Sequence, residues 1–528
     1  MAAGAAGGAL LAAGALTLER APYVVPGRIL GADAAQGHRL RGGGFPPVTA
    51  ERTTGVAIIG GGIAGLAAAR HLTQRGFTDF TLFELEGEAG GNAVSGRNDV
   101  SAYPWGAHYV PLATEESTEV RRLFEDLGII TGYDAAGLPI YDEFMISAAP
   151  QERLFLHGRW QDGLVPLLGV SAAERAEFAR FHERMENFGT RRGADGRRAF
   201  AIPVDASSAD AHFRALDRET MKDWMNRQGF TADRLHQHVD YCCRDDYGTS
   251  HEATSAWAGI HYFAARSGRA ANAGPDAAVT WPEGNGWLVQ RLARGCETRI
   301  ETGMLAFRIE ERPRGVAIDI LDTIKGTSFR VRARTAVLAV PRFIAARLLP
   351  RLDADGFSYA PWAVANITLG RVPEGRGQAL AWDNVVFGSR LLGYVVATHQ
   401  DLRMVEGRTV LTYYWPLSHL PPAEARQEAL SRDIAGWQAI FLEELLRIHP
   451  ELEGTVERVD VRVFGHAMIR PVPGFIWGEA RRRALLSRPP VFAAHSDLGG
   501  MSIFEEAYVS GIGAAGKALD YLAGMREG

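Results

Sequence analysis

The amino-acid sequence predicts an α/β fold in which one domain opens and closes the chain and an α+β domain is inserted within it. The first observation is the segment 56–84, where two short apolar strands flank a helix. The second is an apolar strand at 491–494 followed by a helix at 505–522, which could return to the same sheet. Between these ends, helical and strand-rich segments alternate, as a second domain inserted into the first requires.

The opening segment has the pattern of a βαβ unit. Residues 56–59 are a continuous apolar run, typical of a buried strand. Residues 66–75 carry apolar side chains at helical spacing, and Gly76 follows as a helix-ending residue. Residues 80–83 form the second apolar strand, which runs directly into Glu84.

The rest of the chain divides into segments of different character. Residues 113–255 are predicted to be mostly helical, with amphipathic stretches at 115–127, 171–188 and 218–239. A β-meander is predicted within 303–340, with strands at 317–321, 329–332 and 336–340. Short strands and turns follow over 357–415, and one long helix over 423–447.

We therefore expect a discontinuous nucleotide-binding domain and a substrate-binding domain. The first comprises 53–112, 280–345 and 488–528. The second comprises 113–279 and 346–487, with a mixed sheet and helices, and 1–52 form an N-terminal arm or the remnant of an export signal.

Composition excludes several classes of protein. The 528 residues suffice for two to four domains, and the net charge of −5 provides no global field that attracts nucleic acid. Three cysteines cannot form a disulfide framework, and no zinc or iron–sulfur spacing occurs, so we expect no protein-ligated metal. All but three of the 57 basic residues are arginines; the lysines are Lys222, Lys325 and Lys517.

The N-terminus leaves the compartment open. Residues 1–16 are an apolar run of Ala, Gly and Leu, shorter than the roughly 20 residues that span a bilayer. The run is typical of the apolar core of an export signal, although no basic residue precedes it. We expect a periplasmic protein if this run belongs to an export signal and a cytoplasmic one otherwise, with no transmembrane segment.

Three glycines at the first strand–helix junction carry the clearest chemical signal. Gly60, Gly62 and Gly65 have GxGxxG spacing directly after a strand, and Gly65 lies with Ala64 in the first helical turn. They permit a tight turn, close approach of a pyrophosphate, and close packing of helix on strand. Glu84 ends the second strand, where a carboxylate binds an adenosine ribose hydroxyl. The segment therefore predicts a Rossmann-type dinucleotide site.

Further glycines distinguish between FAD and NAD as the dinucleotide. Gly90 and Gly91, followed by Asn92, come six residues after Glu84, and a second glycine-containing segment follows at Gly106, Ala107 and His108. With the run from 59 to 91, these motifs resemble the FAD-dependent amine oxidase superfamily, and within it the bacterial spermidine dehydrogenase-like proteins. The resemblance implies a glutathione-reductase-like FAD domain, with the paired glycines near the FAD phosphates and residues 106–108 near the isoalloxazine ring.

The end of the chain is similar to the closing FAD motif of the same superfamily. The resemblance places Asp497 at the ribityl–pyrophosphate region and Ile503 and Phe504 at the pyrimidine edge of the flavin. The N-terminus of the last helix would then favour negative charge on the reduced flavin.

The sequence departs from the superfamily at two catalytic positions. Many relatives place a lysine near flavin N5, where it assists the reaction with oxygen, and here that position falls near Asn366. This favours a dehydrogenase, although an oxidase without the lysine stays open. His466 lies where monoamine oxidases carry a flavin-linked cysteine, so a histidyl–flavin bond is conceivable, but we expect noncovalent FAD. Tyr414 and Trp477 are candidates for aromatic walls near the ring.

The expected reaction is oxidation of a C–N bond of an amine, plausibly a polyamine such as spermidine, by hydride transfer to flavin N5. Asp245, Asp246 and Glu283 are candidates to hold a distal ammonium, and Asp245 and Asp246 could instead form a solvated loop or pair with arginine. The alternative is a phytoene-desaturase-like or protoporphyrinogen-oxidase-like enzyme with an apolar substrate. Haem b is a further possibility from the resemblance. The electron acceptor (oxygen, a quinone or a redox protein) is open, and a homodimer is possible.

Overall fold

A computed structural model describes residues 25–274, 277–403 and 407–527. The apolar run at 1–16 lies outside these residues, and with it the evidence on export. The described chain is mixed α/β. Its strands are β1 (Ile29–Gly31), β2 (Val48–Ile59), β3 (Phe80–Phe83), β4 (Ser95–Arg97), β5 (Ala102–Pro104), β6 (Tyr109–Pro111), β7 (Ile130–Tyr133), β8 (Pro139–Tyr141), β9 (Glu152–Leu156), β10 (Arg159–Asp162), β11 (Ala278–Thr280), β12 (Ile300–Glu301), β13 (Met304–Arg312), β14 (Gly315–Asp322), β15 (Thr327–Leu338), β16 (Tyr359–Leu369), β17 (Asp383–Val386), β18 (Gly393–Val396), β19 (Thr409–Pro416), β20 (Val456–Ile469) and β21 (Val491–Ala493).

The α-helices fall in three regions: the N-terminal βαβ unit, the segment before β11, and the C-terminal half. They are α1 (Ala34–Gly37), α2 (Arg39–Gly42), α3 (Ile63–Gln74), α4 (Thr118–Asp126), α5 (Ala172–Thr190), α6 (Ala211–Arg214), α7 (Met221–Arg227), α8 (Asp233–Tyr247), α9 (Ala256–Ala264), α10 (Gly286–Leu292), α11 (Arg342–Leu348), α12 (Pro422–Ser431), α13 (Ile434–Ile448), α14 (Glu479–Leu485) and α15 (Phe504–Glu527). None of the described helices is long and apolar enough to cross a membrane.

The first sheet has the order β12-β3-β2-β15-β14-β13, with β21 beside β15. Strands β12, β3, β2, β15 and β21 are parallel, whereas β13–β15 form the antiparallel meander. Helices α3 and α15 pack against each other in the apolar core that covers this sheet. The last strand and helix thus join the βαβ unit, and on this basis we propose the domain boundaries given above.

The second sheet has the order β1-β20-β16-β19-β18-β17-β9-β10 and is largely antiparallel. One face packs on α12 and α13, and its other side faces the first domain. Helices α5 to α9 form a separate apolar core beside this sheet. Strands β16 and β19 pair with Val364 opposite Tyr414, which sets two side chains of the site described below.

Five predicted features differ from the structure in extent. Residues 113–255 are not mostly helical, because β7 to β10 lie within them and β9 pairs with β17 of the second sheet. The predicted helix 218–239 is broken near Gly229, whose φ of +75° helical residues do not adopt. The helix 423–447 is two helices, because Asp433 caps α13 through the N–H of Gly436. The predicted arm, 1–52, overlaps β2, which begins at Val48. The strands expected at 329–332 and 336–340 are one continuous strand, β15.

Candidate cofactor and substrate site

The glycine loop between β2 and α3 has the geometry that a bound pyrophosphate requires. A Cβ on Gly60, whose φ is +102°, would lie 2.3 Å from the Ala339 carbonyl oxygen, and one on Gly65 would lie 1.9 Å from that of Gly60. A Cβ on Gly62 would meet nothing within 4 Å. No side chain caps α3 and no acidic residue lies in its first turn, so its N–H groups are available to an anion.

The second glycine pair lies against this loop. The N–H of Gly90 donates to the Gly61 carbonyl at 2.8 Å, and Gly62 and Gly90 form a parallel bridge. Gly91 has a φ of +58°, and a Cβ there would lie 3.3 Å from the Gly62 Cα. The two loops therefore form one surface of bare backbone, as a cradle for phosphates does.

Glu84 closes the cradle at the end of β3. Its carboxylate accepts hydrogen bonds from the N–H of Gly61 at 2.6 Å and of Glu86 at 2.8 Å, and burial raises its pKa. Because each carboxylate oxygen can accept two hydrogen bonds, Glu84 can still accept one from a ribose hydroxyl.

A cavity of about 150 Å³ lies beside Asn92, the residue that follows the Gly90–Gly91 pair. It brings together nine of the candidate residues: Asn92, Gly106, Ala107, His108, Asp245, Asp246, Tyr414, Ile503 and Phe504. The amide of Asn92 donates to the Ala467 carbonyl at 2.6 Å, and the Ala107 N–H donates to the Asn92 carbonyl at 3.0 Å. These bonds hold the glycine-containing segments at the mouth of the cavity.

An aromatic wall forms one side of the cavity. The rings of His108 and Tyr414 stack at 4.8 Å, and the Tyr414 hydroxyl donates to the Gly106 carbonyl at 3.0 Å. Trp382 lies 5.7 Å from His108 and 6.0 Å from Tyr109, and Trp362 lies 6.4 Å from Tyr414. Burial lowers the pKa of His108 to about 4, so this ring is neutral near pH 7. Such a wall desolvates an amine and presents ring faces to a cation.

Asp245 and Asp246 also line the cavity. They occupy the last turn of α8 and not the turn-like loop expected from the sequence, because the helix continues to Tyr247. Asp246 forms an ion pair with Arg266. Burial, together with Asp246, raises the pKa of Asp245 to about 7. The negative end of the helix dipole adds to these charges, so the end of α8 favours a cation.

Two further carboxylates lie near Asp245. Asp383 of β17 is opposite Glu152 of β9, and like charges directly opposite each other destabilise a sheet. Burial, then Glu152 and Asp245, raise the pKa of Asp383 well above its ordinary value. A raised pKa favours the protonated, neutral carboxyl, so Asp383 does not add a full negative charge beside Asp245.

Five candidate residues lie neither in the cavity lining nor in the segments that form the cradle. Asn366 is buried, with its amide donating to the Pro104 carbonyl and Thr412 donating to its oxygen. Asp497 accepts hydrogen bonds from the Arg342 N–H and the Tyr359 hydroxyl and pairs with His495, so it supports the segment before α15. The other three are His466, stacked on Phe343, Trp477, packed edge-on against Trp257, and Glu283, in the loop before α10.

The sequence reasoning missed several cavity residues: Tyr109, Arg266, Asn285, Trp362 and Glu505. The period-2 alternation of β16 could have placed Trp362 and Val364 on one face. Arg266 lies two residues beyond α9, and no local sequence pattern indicates that it lines the cavity.

Three of the cavity residues that the sequence reasoning missed have a polar atom that indicates whether the site fits a ligand. Trp362 Nε1, Asn285 Oδ1 and Glu505 Oε2 are buried at the cavity without a hydrogen-bond partner in the described part of the chain. A buried polar atom left unpaired is costly. The bare cradle, the uncapped helix and these atoms fit a bound FAD.

Comparisons with known proteins agree with this geometry. Residues 58–127 match the NAD(P)-binding Rossmann-like domain family. Putrescine oxidase bound to putrescine superposes with a TM-score of 0.65 at 15% identity, covering 89% of this chain and 100% of that one. The chain has the fold of FAD-dependent amine oxidases.

Two more structures share this fold. Cyclohexylamine oxidase from Brevibacterium oxydans IH-35A gives a TM-score of 0.63 at 17% identity, covering 89% of this chain and 99% of that one. A protein assigned as protoporphyrinogen oxidase from Exiguobacterium sp. 255-15 gives 0.60 at 14% identity, covering 90% and 100%. At these identities the comparisons show the fold and leave the substrate open.

The raised pKa of Asp245 predicts how the binding of a diamine depends on pH. Asp245 must be ionised to attract an ammonium, which itself stays protonated because alkylamines ionise near ~10. We expect the affinity for putrescine to rise more steeply with pH below about pH 7 than above it, because below pH 7 binding displaces the proton of Asp245 in addition to that of the reacting nitrogen. Calorimetric titration on both sides of that pH measures the change of slope. The Asp245→Asn variant should lose the steeper part of the profile, and an equally steep profile in that variant would contradict the assignment.

Proposed function

We propose that this protein is a FAD-dependent oxidoreductase that oxidises a C–N bond of an amine, and that the amine is a polyamine such as spermidine. The observation that carries the proposal is one cavity that is lined both by residues 106–108, which follow the phosphate cradle in the chain, and by Asp245. When bound, FAD supplies the chemistry by accepting a hydride from the carbon next to the reacting nitrogen.

The cradle residues hold the cofactor in this proposal. Gly62, Gly91 and the N-terminus of α3 face the pyrophosphate, and Glu84 binds the ribose. Residues 106–108 and the segment from Ile503 to the start of α15 flank the ring system. Because His466 stacks on Phe343 outside the cavity, we propose noncovalent FAD.

The aromatic wall acts on the reacting nitrogen. An amine loses hydride from its α-carbon readily only when its nitrogen is neutral, and an apolar surrounding lowers the pKa of an amine by desolvation. Tyr414, Trp362 and the neutral ring of His108 provide that surrounding, and the proton is shed as the amine enters. No catalytic base is needed for this step.

In this proposal the carboxylates of Asp245 and Asp246 determine the substrate class. The charge of Asp246 is balanced by Arg266, which leaves Asp245 to pair with a distal ammonium. An amine with a second positive charge makes this ion pair, and a simple monoamine does not.

The positions of the three lysines favour a dehydrogenase over an oxidase. Lys325 pairs with Asp322 in the β14–β15 turn, Lys222 pairs with Glu252, and Lys517 lies far along α15, so none of them reaches the cavity. Asn366 lies under Pro104 and cannot replace a lysine at the ring. We propose slow reoxidation by oxygen and an acceptor other than oxygen.

A second candidate is an enzyme for an apolar substrate, as a protoporphyrinogen oxidase is. The aromatic wall and the fold of the Exiguobacterium protein favour it. The carboxylate of Asp245 opposes it, because an apolar substrate would leave this cavity residue without an ion-pair partner.

Anaerobic titration with spermidine tests the proposal. We expect the flavin absorbance near ~450 nm to bleach stoichiometrically, because the substrate reduces the bound cofactor. Admission of air should restore the colour slowly if oxygen is not the acceptor. Flavin that spermidine leaves oxidised would remove the polyamine assignment and favour the apolar substrate.

A further inference from the structure

Two adjacent glutamates in the first turn of α15 differ in their contacts. Glu505 lines the cavity and is 3% exposed, whereas the carboxylate of Glu506 accepts a hydrogen bond from the Val204 N–H. Glu505 Oε2 has no hydrogen-bond partner in the described part of the chain. A buried carboxylate oxygen without a donor is costly, so the state of Glu505 depends on what the cavity holds.

Glu505 shares the cavity with the residues that we assign to the flavin ring. Residues 106–108 and Ile503 line this cavity, and so does Phe504, the residue before Glu505. In FAD the ring system is the part that extends beyond the diphosphate, and in the proposed function the glycine loops hold the diphosphate. When FAD is bound, the carboxyl group of Glu505 and the flavin ring therefore share one cavity.

The charged groups that face Glu505 come from two other segments and from its own turn. Arg266 follows α9, Asp246 lies in α8, and Glu506 is the next residue. Arg266 already forms an ion pair with Asp246, so its charge is not free to neutralise a second carboxylate. The N-terminus of α15 adds only about half a positive charge. A new negative charge in the cavity therefore lacks a full positive partner.

The other titratable side chains of the cavity supply no positive charge near pH 7. Burial lowers the pKa of His108 and of His261 to about 4, so both rings are neutral. Burial raises the pKa of Tyr109 and of Tyr414 well above the ordinary value, so both hydroxyls keep their protons. The remaining titratable residues that line the cavity, in the part of the chain that the structure describes, are the three carboxyl groups and Arg266.

Reduction of the flavin changes the charge in the cavity that contains Glu505. A hydride adds one negative charge to the ring, and a like charge nearby favours the neutral form of a carboxyl group. Burial already raises the pKa of Glu505 to about 7, although a hydrogen bond from its own backbone N–H and the charge of Arg266 lower it. The carboxyl group can therefore gain or lose a proton near neutral pH.

We propose that Glu505 takes up one proton from solvent when the flavin is reduced, so that reduction of the cofactor is coupled to a second proton. The hydride brings two electrons and one proton from the amine to the flavin, and the iminium product leaves with its positive charge. The second proton passes from solvent to the Glu505 carboxylate, which restores the net charge of the cavity, and reoxidation releases it. The inference rests on FAD as the cofactor of the proposed function and not on the identity of the amine.

The test measures the midpoint potential of the bound flavin between about pH 6 and pH 9 in the full-length holoprotein. Dithionite with reference dyes reduces the flavin, so no amine is needed. We expect wild type and Glu505→Gln to have the same potential near pH 6, where Glu505 is already protonated. Above about pH 7 the equilibrium constant for reduction of the wild type should fall by a further tenfold per pH unit relative to the variant, which is about 30 mV for a two-electron couple.

Glu506→Gln is the matched control for this measurement. Glu506 is not among the residues that line the cavity, and the amide oxygen of glutamine can accept the same bond from the Val204 N–H. The potential of this variant should run parallel to that of the wild type at every pH. Equal potentials of wild type and Glu505→Gln at every pH would overturn the proposal, as would a pH-dependent difference of the same size in Glu506→Gln.

The wild type alone decides the question if Glu505→Gln does not fold. The number of protons bound per two electrons, taken from the slope of the wild-type potential against pH, should increase by one as the pH rises past about 7. A slope that does not steepen there would contradict the proposal. Failure of spermidine to bleach the flavin would refute the polyamine function alone, and failure to bind FAD would refute the cofactor and this inference together.

Discussion

Replacement of Gly62 by valine is expected to abolish FAD binding and to leave the apoprotein folded. The backbone of Gly62 is extended, with φ of −71° and ψ of −176°, and any residue can adopt this conformation. A Cβ at this position meets no protein atom within 4 Å, so the space that valine would fill is the space proposed for the pyrophosphate. We expect the Kd for FAD to rise at least about 100-fold, equivalent to about 2.7 kcal/mol, with an unchanged Tm of the apoprotein.

Two other glycines provide matched controls for this experiment. A Cβ on Gly513, on the exposed face of α15, also meets nothing within 4 Å, so Gly513→Val should leave both FAD binding and Tm unchanged. Gly65→Val places a side chain 1.9 Å from the Gly60 carbonyl oxygen and should lower the Tm even without cofactor. Normal FAD affinity in Gly62→Val would show that the cofactor does not lie on this loop.

The parts of the fold that the sequence predicted correctly are local in the chain. The βαβ unit needs only the residues between Val48 and Phe83, and the apolar runs, Gly76 and the GxGxxG spacing all lie within that segment. The final strand and helix were recognised for the same reason. Local patterns of this kind fix both an element and its neighbour.

The errors arose where tertiary pairing decides the structure. Strands β9 and β10 are short, and β9 is fixed by its pairing with β17, which lies much later in the chain. The two breaks in predicted helices depend on single residues, Gly229 and Asp433, which an amphipathic pattern averages over. A periodicity argument cannot detect either kind of feature.

The candidate site shows the same division. The residues that we assign to the cofactor lie in contiguous motifs, which a sequence pattern reveals, and those of 106–108 and 503–504 line the cavity. The residues around Asp245 come from α8, the segment after α9, β9 and β17, and no local pattern links Asp245 to Arg266 or Asp383. Asn366 was placed by motif order. It lies on the same face of β16 as Trp362 and Val364 but further along the strand, where its amide bonds to the Pro104 carbonyl outside the cavity lining.

Replacement of Asp245 by asparagine is expected to remove the preference for amines with a second charge. The variant keeps the shape of the side chain and loses the charge that we assign to the distal ammonium. Loss of one member of a buried charge pair costs about 2–5 kcal/mol, so kcat/KM for spermidine should fall about 100-fold, mostly through KM. For a monoamine such as butylamine it should stay within about threefold, because that substrate has no second ammonium to pair with the carboxylate.

The neighbouring carboxylate provides the matched control for Asp245. Asp246→Asn leaves Arg266 without its partner inside the protein, so this variant should lower the Tm and impair both substrates alike. Among the described residues Asp245 has no such ion-pair partner, and burial already favours its neutral form, so Asp245→Asn should keep or raise the Tm of the ligand-free protein. An equal loss of kcat/KM for spermidine and butylamine in Asp245→Asn would show that the carboxylate serves the fold or the cofactor. A loss of kcat/KM for spermidine alone would establish the Asp245 carboxylate as the determinant of substrate class.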